Sequence, residues 1–413
     1  MRNADYTQTT VAIIGGGAAG MMAAGTAVLH GAAVTIYEGQ KILGKKLAIT
    51  GKGRCNVTNN TDIEGILANV RRNPRFLYTA LNTFSPKDTM EFFESLGVSL
   101  KTERGNRVFP VSDKARDVVD ALKSYASGAE IIYSKVKSIK FVDNRFIVGS
   151  ENCENEYDKV IIATGGLSYP LTGSDGSGYK LAKKLGHTVT ELKPSLIPIE
   201  SPDNVCSELM GLSLKNVSIN IKNSSGKILY TDFGEMMFTH FGVTGPMILS
   251  ASAHLRDEDL NSLGLYIDLK PALDEKTLDA RLLSDFGKNI NKDFINSLSE
   301  LLPKKMINPI IKRAGIDERK KVNSITKEER ERLLSCIKSF YIPLGKFRPI
   351  EEAIITSGGI EIREVAPKTM ESKLCPGLYF AGEILDLDAY TGGFNLQISF
   401  STGYLAGKSA AES

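Results

Sequence analysis

Paired cysteines are absent from this 413-residue chain. Its five cysteines, Cys55, Cys153, Cys206, Cys336 and Cys375, stand far apart and form no CxxC pair. That fits free thiols in a reducing, cytoplasmic setting better than a disulfide framework or a zinc site, and no metal ligand set is expected. Net charge is also scarce. The formal total is +3, from 51 Lys and Arg against 48 Asp and Glu that are interleaved with them, so nothing demands a nucleic acid or an anionic membrane as partner. Repeats and low-complexity tracts are missing, and the opening MRNADYTQTT has no charged-then-apolar leader, which argues against a secretory signal. A 42% hydrophobic and 24% charged composition is ordinary for a folded globular chain. The length exceeds what one core usually serves, so two or three domains are expected.

One long stretch lacks charge altogether. Thr10–Glu38, TVAIIGGGAAGMMAAGTAVLHGAAVTIYE, has no Asp, Glu, Lys or Arg before its last residue and is long enough to cross a bilayer. Its glycines argue otherwise, since each costs ~1 kcal/mol relative to Ala inside a helix, and no Lys or Arg cluster flanks it to set an orientation. The stretch divides into a buried strand at Val11–Ile14, a glycine turn, a small-residue helix at Ala18–His30 and a second buried strand at Val34–Tyr37. Gly15, Gly17 and Gly20 then form GxGxxG between strand and helix, with Glu38 18 residues beyond the last glycine. Gly15 allows the tight turn, Gly17 lets backbone approach a diphosphate, and Gly20 lets helix and strand pack closely. The free amides at the helix start, around Ala18 and Ala19, would hold phosphate oxygens. Glu38, followed by Gly39, would accept hydrogen bonds from a ribose hydroxyl.

Two other segments end in glycine turns. KVIIATGGL (Lys159–Leu167) follows Ile131–Ser150, whose alternation predicts an antiparallel meander turning at Asp143–Asn144. PGLYFAGE (Pro376–Glu383) leads into TGGFNLQ, which opens a helix near Asn395. Together with GKGRCNVTN (Gly51–Asn59), FTHFGVTGP (Phe238–Pro246), TSGGI (Thr356–Ile360) and AGEILDLDAYTGGFNLQ (Ala381–Gln397), these motifs resemble the BaiN-like, or aminoacetone-oxidase-like, family of NAD(P)/FAD-dependent oxidoreductases over nearly the whole chain. The resemblance implies FAD as cofactor. Gly15, Gly17 and Gly20 would cradle its pyrophosphate, and Glu38 its adenosine ribose. Ala163, Thr164 and Gly165 would line the adenine or pyrophosphate end, and Gly382 and Glu383 the ribityl and pyrophosphate. Gly393, Phe394, Asn395 and Gln397 would set a helix start against the pyrimidine edge, where reduced flavin carries negative charge. Arg54, Asn56 and Thr58 would contact cofactor or substrate.

Other candidates have competing readings. His240, in a glycine-rich turn, is either a substrate-facing proton donor or a brace for that turn. Cys55, beside Arg54 but without a second thiol, reads as packed. GSDGSG (Gly173–Gly178) reads as a turn and helix cap, so no second Rossmann motif is present and a nicotinamide reductant would visit transiently.

The fold class expected is α/β: a discontinuous Rossmann-like FAD domain over 1–190 and 346–413, with an inserted β-rich, barrel-like substrate domain over 191–272 and 336–345 carrying a helical subdomain over 273–335. The function expected is hydride transfer between a small organic substrate, or NAD(P)H, and flavin N5, with O2 or an unsaturated compound as acceptor. A flavoprotein acting on tRNA and a non-catalytic flavin-binding protein are the competing classes. No nucleic acid or membrane partner is expected, and the oligomeric state and substrate stay open.

Overall fold

The computed structural model describes residues 8–151 and 153–413. The chain forms two compact units, one made of the chain through Ser195 with Pro349–Ser413, the other of Leu196–Arg348.

In the first unit, short runs of β-branched and aromatic residues form five parallel strands: β1 Thr10–Ile14, β2 Ala33–Tyr37, β3 Glu130–Ile132, β4 Lys159–Ile162 and β5 Leu378–Phe380. Their order is β5-β4-β1-β2-β3. β1, β4 and β5 are almost wholly buried, as expected of a parallel sheet covered on both faces. Helix α1 (Ala18–Leu29) follows β1, α2 (Ser177–Lys184) follows β4, and the chain closes with α3 (Phe394–Glu412).

The uncharged stretch is explained by α1. Its residues from Ala19 to Ala27 are buried, with α3 in backbone-to-backbone contact along one side. A Cβ at Gly403 would lie 2.5 Å from the Ala19 carbonyl oxygen, and one at Gly407 would lie 2.3 Å from that of Ala23. Among the described residues, no helix is long and apolar enough to cross a membrane.

One expectation is corrected. Ile131 and Ile132 belong to the parallel sheet, beside Ile36 and Tyr37, and the meander is Val136–Val142, Arg145–Ser150 and Glu154–Tyr157. A parallel partner distant in sequence leaves no local turn signal, so alternation alone merged the two sheets. The meander's first turn is at Asp143 and Asn144, both left-handed.

In the second unit, six antiparallel strands are ordered Ile199–Glu200, Gly242–Thr244, Ile228–Phe238, Ser213–Asn223, Leu263–Asp268 and Phe340–Pro343. The chain after the last strand returns to the first: Glu200 N donates to Lys346 O (2.8 Å) and Gly345 N to Glu200 O (2.9 Å). That return gives the sheet a barrel-like closure. Helices Pro246–Leu255, Glu275–Lys288, Lys304–Ala314 and Lys327–Lys338 share a core with the sheet, Leu278, Ile310 and Leu333 joining Ile219 and Leu265.

Back in the first unit, a buried relay fixes the turns that precede β5. His187, whose side chain is fully buried, has Nε2 2.8 Å from Ser372 Oγ and Nδ1 3.2 Å from Glu364 Oε2. Ser372 Oγ already accepts from the amides of Leu374 (3.0 Å) and Cys375 (2.8 Å), so its own proton goes to Nε2. The ring is therefore neutral with its hydrogen on Nδ1. Burial lowers the His187 pKa, while Glu364 opposes the shift.

Glycine substitutions test these contacts from both sides. Gly403→Val forces α3 off α1 and destabilises by about 1–3 kcal/mol or more. Gly287→Ala, at an open helical position, stabilises by about 0.4–1 kcal/mol. Urea unfolding measures both. For His187, the unfolded chain takes up a proton near pH 6.5 that the folded chain refuses. Its contribution is complete above that pH and is lost as pH falls through 6.5 toward the lower folded value. His187→Gln should flatten this part of the stability profile between pH 7.5 and 5.5, and an unchanged slope would count against the relay.

Candidate functional site

The ends of four parallel strands supply the site. Just past the carboxyl ends of β1, β2, β4 and β5 come Gly15, Glu38, Ala163 and Ala381–Gly382. β1 sits where the strand order reverses, with β2 on one side and β4 on the other, the place where open α/β sheets take ligands.

The turn between β1 and α1 is shaped by contact. Gly15 (φ +107°) leaves no room for a side chain, because a Cβ there would lie 2.6 Å from the Ala163 carbonyl oxygen; a Cβ on Gly20 would meet Gly15 O at 1.9 Å. In front of Gly17 nothing lies within 4 Å. Gly17 caps α1 without a side chain, and the first helical bond runs from Met21 N to Gly17 O. The amides of Ala18, Ala19 and Gly20 therefore precede the helical ladder. α3 begins the same way: Gly393 (φ +96°) caps it without a side chain, and its first bond is Gln397 N to Gly393 O. Two packed helices in one unit thus present uncapped, positive starts.

Around these starts, each expected residue has a defined place. Glu38 accepts from Gly16 N through Oε2 (2.9 Å) and from Gln40 N through Oε1 (2.7 Å); burial raises its pKa, opposed by the Gln40, Gly16 and Gly39 amides. Gly39 packs near the Lys135 stem. Thr164 Oγ1 is buried without a hydrogen-bond partner, and Gly165 (φ +71°) lies against Ser174 Oγ. Glu383 accepts from Ser168 Oγ (2.9 Å), Thr356 N (2.9 Å) and Lys46 Nζ (2.7 Å).

The Gly51–Asn59 loop lies against the start of α3. Thr58 Oγ1 donates to Gln397 Oε1 (2.6 Å), and Asn59 Nδ2 donates to Gly392 O (3.0 Å). Asn56 Oδ1 is buried with no partner. Arg54 turns its guanidinium to Glu103 and Asp113 and lies over the Phe109 ring. Gln397 is fully buried, its amide donating to Phe84 O (3.2 Å) and Ser401 Oγ (3.0 Å). Asn395 holds the main chain of Ala389 and Tyr390, and Phe394 is buried.

Cys55 is fully buried, and burial pushes its thiol up to about 12, which is a packed thiol. In GSDGSG, Asp175 Oδ1 accepts from Ser177 N (3.0 Å), the turn that starts α2. His240 is in the second unit, exposed on the turn after Phe238, with its ring edge against Phe241. That turn is braced by Thr239, whose hydroxyl and amide both bond to Gly242. Sequence reasoning did not single out Lys46, Ser168 or Tyr179, whose buried hydroxyl also lacks a partner. A charged pair, Lys45–Lys46, just past a buried strand was the available signal for the first.

A family model described as the HI0933-like protein Rossmann domain matches residues 9–409. The chain belongs to that family. It is an oxidoreductase of the flavoprotein class, with the BaiN-like kinship expected from its motifs. It is 31% identical over 418 residues to the 3-dehydro-bile acid delta(4,6)-reductase of Clostridium scindens, covering 97% of this chain and 99% of that one. It is 30% identical over 404 residues to the ribosomal RNA dihydrouridine synthase of Haemophilus influenzae, covering 95% and 96%. In fold it is similar to the 3-ketosteroid delta1-dehydrogenase of Sterolibacterium denitrificans, at 12% identity and a TM-score of 0.54, covering 98% of this chain and all of the other.

The contrast between Asn56 and Gln397 gives a prediction. Asn56→Ala removes an amide oxygen that has no protein partner, so the flavin-free chain should change in stability by under about 1 kcal/mol while flavin retention on gel filtration falls. Gln397→Ala strips partners from buried Thr58 and Phe84 and should cost about 2–4 kcal/mol in urea unfolding. Equal losses of stability would remove the distinction.

Proposed function

We propose that the chain is an FAD-dependent reductase of carbon–carbon double bonds conjugated to a carbonyl. One observation carries the reading: curated relatives that differ widely in substrate are named for the same chemistry. A 3-dehydro-Δ4,6 bile acid is a ketone conjugated to alkenes, and dihydrouridine forms by saturating the uracil double bond conjugated to a carbonyl. Such a reduction adds hydride to an electron-poor alkene carbon, β to the carbonyl or, for the Δ6 bond, δ to it, and a proton to the neighbouring carbon.

The first unit fits FAD on its own features. The glycine turn before α1, where a Cβ on Gly17 would meet nothing within 4 Å and the amides of Ala18, Ala19 and Gly20 precede the helical ladder, suits a diphosphate. Glu38 follows β2 where a ribose is gripped. The partnerless Asn56 Oδ1 and Thr164 Oγ1 suit a ligand that brings its own donors. When bound, the flavin supplies the hydride. The chain's part would be orientation and charge: Gly382 and Glu383 would border the ribityl and pyrophosphate, and the amides of Phe394, Asn395 and Leu396 would face negative charge at the pyrimidine edge. Arg54 contributes by anchoring the Gly51–Asn59 loop. A nicotinamide that reduces the flavin would visit transiently, since the chain carries one GxGxxG. We assign proton delivery to His240, whose turn is braced without it.

Small enones are the first substrates to test, and a second reading, uracil within RNA, draws on the ribosomal RNA relatives. Anaerobically reduced holoenzyme is mixed with a small conjugated enone, with its saturated ketone and with uridine-containing RNA, and flavin reoxidation is followed. Fast reoxidation by the enone but not by the ketone is expected, and His240→Gln should keep the flavin and slow that reoxidation by at least about 10-fold. Reoxidation by RNA alone would favour the second reading. Oxygen as the only effective acceptor would overturn both.

A further inference from the structure

Lys46, Ser168 and Glu383 follow β2, β4 and β5, and meet at the carboxyl edge of the sheet. The Lys46 ammonium donates to Ser168 Oγ (2.8 Å) and to Glu383 Oε2 (2.7 Å). The other Glu383 oxygen accepts from Ser168 Oγ (2.9 Å) and from the Thr356 amide (2.9 Å). Ser168 and Thr356 are fully buried, and the Lys46 and Glu383 side chains are 23% and 18% exposed. The β4 turn is cut to fit this node: a Cβ at Gly166 would lie 2.5 Å from Thr356 Oγ1 and 3.1 Å from Glu383 Oε1. Nearby lies the partnerless Tyr179 hydroxyl, whose ionisation is opposed first by burial and then by Glu383 and Asp386.

We infer that Lys46 is a positioning residue of the flavin site, neutralising and aiming Glu383 so that FAD affinity and the potential of the bound flavin depend on their ion pair. The inference rests on the reading that Gly382–Glu383 border the cofactor. With three hydrogen bonds, Glu383 is held in one orientation, and its charge is balanced by the only cation that touches it among the described residues. Removing the ammonium leaves a largely buried carboxylate unbalanced. That carboxylate either turns away, loosening the turn after β5, or stays and adds negative charge beside a group that gains electrons.

The test uses purified full-length chain, with FAD dissociation constants from titration and midpoint potentials from equilibration with redox dyes. Lys46→Met, which keeps the apolar stem, is expected to weaken FAD binding roughly 10-fold or more and to make the potential more negative. Lys46→Met with Glu383→Gln, which removes both charges, should recover the potential and part of the affinity, and Lys46→Arg should stay near wild type. Glu383→Gln alone should shift the potential upward, and this arm decides the matter if Lys46→Met does not fold. Wild-type affinity and potential in Lys46→Met would overturn the inference, as would a double variant no better than the single one. A wild-type chain that takes up no FAD would instead overturn the cofactor reading itself.

Discussion

The first unit depends on a contact between main chains. The Ala19 carbonyl lies against the Cα of Gly403, and that of Ala23 against Gly407, so helices from the two ends of the chain share a boundary no side chain could occupy. This contact asks for small residues at Ala19 and Ala23, and burial of most of α1 and of the two strands explains why Thr10–Tyr37 has no Asp, Glu, Lys or Arg. It also ties the two ends of the chain together, since Gly403 and Gly407 of α3 lie against the first turns of α1. The GxGxxG turn works by the same logic on a smaller scale, with Gly15 and Gly20 filling space that a methyl group would block.

At the carboxyl edge of the sheet, charge is handled in two ways. Glu38 is surrounded by amides, and Glu383 by a lysine, a hydroxyl and an amide. The uncapped starts of α1 and α3 carry the positive ends of their helices.

Much of this was legible because it is local. Strand, turn, helix and acid follow one another within Thr10–Glu38, and the start of α3 announces itself by Gly392–Gly393 before a largely uncharged helical run. What could not be read depends on partners far away in the chain. Glu130–Ile132 looks like any alternating strand until it lies beside β2. Arg54 reads as a ligand contact until Glu103 and Asp113 come round to it. Gln397 sits in a conspicuous motif, yet its amide faces Thr58, Phe84 and Ser401 in the interior. Lys46 belongs to no motif, because its partners lie on two turns more than a hundred residues away. A sequence displays periodicity and turn chemistry, but it does not display which distant side chain will neutralise a charge.

The central claim is that oriented main-chain amides grip a diphosphate, and the most direct measurement compares FAD with FMN, which lacks it. Titration of the flavin-free chain with each, followed by flavin fluorescence, should give FAD an affinity at least about 100-fold above that of FMN, a gap of about 2.7 kcal/mol, with ADP competing for the FAD site. Equal affinities for the two flavins, or indifference to ADP, would contradict the account.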